Sequence, residues 1–270
     1  MWPFGRKPIV DVDTASWHLE NFAWLIQEFG PSRFAKTQLV LPKPGYFTAG
    51  DKQDHNFAVH IFEQVKTYCG MSDWEVDLVV DDNPVAVRTE ISHAMIAPQK
   101  HAIGTFAAAG NRVQISYVPE LVRRPDRLIA TFAHELSHYL LATARSEPPC
   151  DDDEKEFLTD LTAVYLGFGV FLANARFNFE GSVNGWRMGR SGYLPEADLI
   201  FALSIFIGMK DIDPGPAVGC LKPHLAAMLR RAMQTRLTVN RSVAAADERR
   251  WSISSIKWVL TERVTLPTLQ

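Results

Sequence analysis

Pro125-Asp126-Arg127-Leu128-Ile129-Ala130-Thr131-Phe132-Ala133-His134-Glu135-Leu136-Ser137-His138-Tyr139-Leu140 is the stretch that decides how this chain is read. Leu128, Ile129, Phe132, Leu136 and Leu140 recur at near-helical spacing and make an apolar stripe. Pro125 stands where a helix starts, a position at which its missing N–H costs nothing. The stretch therefore reads as a buried helix over 125–145. Four residues apart on such a helix, His134 and His138 share one face.

Ser146-Glu147-Pro148-Pro149-Cys150 ends that helix, and Asp151-Asp152-Asp153 offers N-caps for the next, expected over 154–176. Two helices joined by so short a loop pack as a hairpin. Upstream, Arg112, Gln114 and Ser116 alternate with Val113, Ile115 and Tyr117, which predicts a strand over 112–118. A strand over 74–80 is read from its alternation, and a short one over 37–41. Further helices are expected over 14–29, 55–68, 195–209 and 217–237. Strands mix with helices in the first half and helices dominate the second. The fold class expected is α+β: a small mixed sheet with an edge strand, packed on a mainly helical body. Residues 1–12 read as a flexible tail and 13–270 as one domain. Its halves, 13–123 and 124–270, read as an α/β lobe and a helical lobe.

The remaining composition is that of an ordinary globular protein. The chain has 270 residues, 47% apolar and 22% charged, with a formal charge of −3. No basic field draws it to nucleic acid. The apolar runs 161–173 and 199–209 fall short of the ~20 residues that span a bilayer, so no integral membrane segment is expected. Three scattered cysteines, Cys69, Cys150 and Cys220, and an N-terminus without an apolar signal core point to the cytoplasm.

His134-Glu135-Leu136-Ser137-His138 is an HExxH sequence, which arises by chance in about one chain of this composition in a hundred. Two imidazoles on one helix face can hold a zinc ion, and the adjacent Glu135 can take the proton of a zinc-bound water. A catalytic zinc takes three protein ligands. Glu156 and Asp160, i and i+4 on the next helix, face the histidines across the hairpin. Glu156 is read as the third ligand and Asp160 as the residue that orients a ligand histidine. Asp160 as the third ligand, and Glu156 as a capping-box residue with Asp153, are the competing readings.

The combination resembles the gluzincin class of zinc metallopeptidases, which includes thermolysin-like enzymes. Glu156-Phe157-Leu158-Thr159-Asp160 is similar to a segment of CAAX-protease-like metallopeptidases, with Thr159 where Ala is usual. The likeness covers about thirty residues, 133–163, and the metzincin extension is absent. It implies zinc on His134, His138 and Glu156, Glu135 as general base, and Asp160 as the partner of His134. The expected activity is hydrolysis of a peptide or protein substrate. Peptide substrates commonly add a strand to a sheet edge, which makes Arg112, Gln114 and Ser116 the candidate substrate-binding residues. Tyr193, His224 and Arg187 are the candidate donors to the oxyanion of the reaction. A zinc-binding regulatory or partner-binding protein, or a zinc hydrolase of a non-peptide amide, are the alternatives. Gly167 and Gly169 inside the expected second helix suggest a close approach of another element.

Overall fold

Asp11 opens the first helix, its carboxylate accepting from the Thr14 amide at 2.8 Å, and α1 runs over Val12–Phe29. The computed structural model describes residues 8–48, 54–81, 107–109, 112–176 and 193–234. After α1 come α2 (Pro31–Lys36), α3 (His55–Tyr68), β1 (Val76–Val80), β2 (Ala107–Ala109) and β3 (Arg112–Tyr117). A 3-10 turn, Pro119–Arg123, leads into α4 (Pro125–Ala142). The chain continues through α5 (Lys155–Tyr165), α6 (Gly169–Arg176), α7 (Glu196–Lys210), α8 (Gly215–Cys220) and α9 (Pro223–Gln234). The protein is α+β, a helical body carrying a three-stranded mixed sheet.

The stripe on α4 is the centre of the core. Leu128, Ile129, Phe132, Leu136 and Leu140 are all buried, each worth about 1.5–3 kcal/mol of hydrophobic burial. The Phe132 ring meets Phe62 of α3 edge-to-face at 5.0 Å. On the far side of α5, Tyr165 stacks on Phe34 of α2 at 5.4 Å, and Phe206 of α7 meets the same Phe34 ring edge-on. One main apolar cluster runs from Phe22 on α1 to Leu229 on α9. Buried as it is, α4 can hold polar side chains at a fixed depth.

The sheet corrects one expectation. β3 is its central strand: it pairs in parallel with β1 (Val76 opposite Val113) and antiparallel with β2 (Ala107 opposite Gln114). Val113 and Gln114 have a strand on each side, so their main chain cannot take an added substrate strand, and Arg112 is paired with Ala109 of β2 alone among the described strands. From Ile115 to Tyr117, β3 is paired with β1 alone among the described strands. Alternation reports which side chains face the core. It carries no information on whether a strand lies at the edge or in the middle. Ser116 is itself buried and Gln114 half-buried, so the two do not share one solvent-facing row.

The helix expected over 154–176 is two. Phe168 N–H reaches Ala163 O at 3.0 Å and Gly167 N–H reaches Val164 O at 2.9 Å, the paired bonds that close a helix on a left-handed residue. Gly167 is that residue, with φ +97°, and a Cβ there would lie 2.1 Å from the Gln38 carbonyl oxygen. The segment 37–41, expected as a short strand, belongs to no strand of the sheet; Val40 N–H donates to Gly167 O at 2.9 Å. Gly169 lies against Leu203, so the anticipated close approach is that of α7. The helix expected over 217–237 is likewise broken, with Pro223 starting α9. Elements not anticipated include α2, begun by Pro31, the 3-10 turn Pro119–Arg123, and β2, which carries only alanines.

Candidate metal centre

The α4–α5 hairpin is anchored at its loop before it builds a site. Asp151 N–H donates to Glu154 Oε2 at 3.0 Å, and Trp17 Nε1 of α1 donates to the same oxygen at 3.0 Å. Glu154 is thus the capping-box residue, which leaves Glu156 without that duty. From there α5 turns Glu156, Thr159 and Asp160 (i, i+3 and i+4) toward α4.

His134 Nε2 and His138 Nε2 stand 3.2 Å apart, and Glu156 Oε2 lies 3.5 Å from each. Ligands about 2.0–2.1 Å from a tetrahedral ion stand about 3.3–3.4 Å from one another. The three donor atoms therefore have the mutual spacing of a tetrahedral metal site, and the three residues form a group able to hold a metal ion. Asp160 is not the third member. Its Oδ1 accepts from His134 Nδ1 at 2.9 Å, and its Oδ2 accepts from the Leu194 amide at 2.9 Å. A carboxylate only accepts, so Nδ1 of His134 carries a hydrogen, and Nε2 is the nitrogen left for a metal.

Charge makes the same point. Glu135, Glu156 and Asp160 bring three carboxyl groups into one buried volume, with exposures of 1%, 6% and 4%. Unpaired buried charge is costly, and a cation at the convergence point would relieve it. Without one, a proton does part of this work. Burial would lower the basicity of His134, but hydrogen bonds with Asp160 and Glu156 push it up to about 10. Burial opposes ionisation of Glu156, yet its bonds to the two imidazoles hold it well below the usual carboxylate range. A metal entering here displaces that proton. Burial raises Glu135, and the nearby His138 and His134 offset this only in part. Its Oε2 is buried with no hydrogen-bond partner among the described residues.

Of the other residues singled out from sequence, Tyr193 is beside the site, its ring 5.6 Å from the His134 ring. The Asp160–Leu194 bond places it there, with Val118 packed against it. His224 of α9 instead pairs with Glu196 of α7 at 3.1 Å and is half-exposed. Arg187 and its glycine-rich surroundings lie outside the described residues, as do residues 1–7 of the tail expected over 1–12, whose Ile9 and Val10 pack against the core and whose Val12 starts α1. Of Arg112 only the backbone is described.

Thr159 is the residue that sequence reading passed over. Its Oγ1 lies 3.3 Å from His138 Nδ1. The signal was available: Thr159 is three residues after Glu156, on the same helix face, and it departs from the alanine usual in the CAAX-like segment.

No described helix is long and apolar enough to cross a membrane. The three cysteines are free. Compared with known protein families, with curated proteins and with solved structures, the chain matches none.

Proposed function

We propose that the protein is a zinc-dependent metallopeptidase of the gluzincin type. The observation that supports this reading is the convergence of His134, His138 and Glu156 at tetrahedral spacing beside a buried carboxyl, Glu135, that has an unpartnered oxygen. His134 and His138 through Nε2, with Glu156 through Oε2, would hold the ion. Bound zinc supplies a water acidified toward a pKa of ~7 and a Lewis acid for the substrate carbonyl.

The protein's own residues do the rest. Glu135 takes the proton of the attacking water on Oε2 and delivers it to the leaving amine. Its burial, which raises its affinity for a proton, suits both transfers. Asp160 holds the His134 ring in one tautomer and orientation. Tyr193, fixed beside His134, is the candidate hydroxyl donor to the developing oxyanion. The shallow exposure of the ligands (His138 side chain 10%, Glu156 side chain 7%) favours a small amide substrate as the second reading.

The test is metal analysis with peptide-library cleavage on the wild type and Glu135→Gln. The expected result is one zinc per chain in both proteins, and a rate loss of about 10²–10⁴-fold in the variant. Wild-type turnover by Glu135→Gln overturns the mechanism. Cleavage of small acyl amides without any cleaved peptide selects the second reading.

A further inference from the structure

We propose that Thr159 is a positioning residue that fixes His138 as the Nδ1–H tautomer and so presents its Nε2 lone pair to the metal. The inference rests on the metal site proposed above and adds to it a group with no charge. Thr159 is buried at 1% exposure. Its Oγ1 makes two contacts: 2.9 Å to Lys155 O and 3.3 Å to His138 Nδ1. A hydroxyl has one hydrogen, and a carbonyl oxygen can only accept. The hydrogen therefore goes to Lys155 O, and the oxygen lone pair faces Nδ1. For that contact to be a hydrogen bond, Nδ1 must donate. His138 Nε2 is then the bare nitrogen, directed at His134 Nε2 and Glu156 Oε2, at 3.2 Å and 3.5 Å.

One helix face thus supplies a ligand and both orienting groups, from positions 156, 159 and 160. The two histidines are treated differently. His134 leans on a carboxylate and His138 on a hydroxyl that is itself anchored to the backbone one turn earlier. The neutral partner matters because Glu135, Glu156 and Asp160 already surround the site. A fourth carboxylate would leave the buried group over-negative even around a divalent cation. The competing account is that Thr159 merely bonds back to its own helix, as buried helical threonines do. It predicts that the hydroxyl has no effect on the metal or on the imidazole.

The deciding experiment compares Thr159→Val, which keeps the shape and removes the hydroxyl, with Thr159→Ser, which keeps the hydroxyl. Zinc affinity is measured by competition with a chromophoric chelator, and the His138 tautomer by nitrogen NMR of the metal-free, histidine-labelled protein. The expected outcome is about a tenfold or greater loss of zinc affinity in Thr159→Val. Thr159→Ser should stay within about threefold of the wild type. Wild-type His138 should carry its hydrogen on Nδ1. Zinc affinity unchanged within twofold in a folded Thr159→Val overturns the proposal. So does a wild-type His138 protonated on Nε2 alone, a result that stands even if the valine variant fails to fold. A wild type that takes no zinc overturns the metal site itself, and this role with it.

Discussion

Two helix contacts in this protein look alike in outline and differ in what holds them. α4 against α5 encloses His134, Glu135, Glu156, Thr159 and Asp160, all buried. α6 against α7 is apolar, with Leu203 fully buried and Gly169 letting Leu203 close in. The apolar contact is stable through area and close packing, which are non-directional. The polar one is stable only while every donor finds its acceptor: Asp160 on His134 and Leu194, Glu156 on both imidazoles, Glu154 on Asp151 and Trp17. The proposed function needs the second kind of contact, and the first kind keeps it in place.

The contrast can be broken most severely at the ligand. Glu156→Gln should lower zinc affinity about 10³-fold, roughly 4 kcal/mol, because a charged donor is lost from a three-donor set. The loss should appear in chelator competition with the helical circular dichroism retained. Affinity equal to the wild type would remove Glu156 from the ligand set.

Next comes the apolar contact. Leu203→Ala should cost about 2–5 kcal/mol of unfolding free energy, read from denaturant titration. Zinc affinity of the folded fraction should stay within twofold. A parallel fall in zinc affinity would mean that the two contacts form one cooperative unit.

The smallest effect is expected at the outer rim, where Glu28 of α1 accepts from the Arg145 amide and from Ser146 Oγ (2.6 Å) at the end of the hairpin. The Ser146 hydrogen bond holds this carboxyl below its ordinary value of 4.5. Its contribution is therefore present above about pH 4.5 and is lost as pH falls through the lowered value. Glu28→Gln should cost under about 1 kcal/mol at neutral pH and flatten that acid limb. A cost of several kcal/mol would place the rim with the buried polar contact.

The legible part of the fold was periodic. The α4 stripe, the span of α3 and most of α1 followed from apolar spacing and caps, because these features act within a few residues. Breaks were harder. Gly167 reads as a weak helix residue until the Gln38 carbonyl is seen where its side chain would be. β2, a run of three alanines, has no signature of its own, and only its pairing with β3 makes it a strand. Edge and centre of the sheet were invisible for the same reason.

In the site, sequence alone settled the helix face shared by His134 and His138, since four residues make one turn whatever surrounds them. It also brought forward Glu156 and Asp160, but left open which of them joins the histidines. That choice was tertiary: the packing of α5 on α4 puts Glu156 Oε2 at 3.5 Å from both Nε2 atoms and turns Asp160 to the far nitrogen of His134. The same packing brings Thr159 to His138 and, through Leu194, Tyr193 to His134. Spacing along one helix is fixed by backbone geometry. Which atom of a neighbouring helix meets it depends on how two apolar faces settle together, and no local pattern records that.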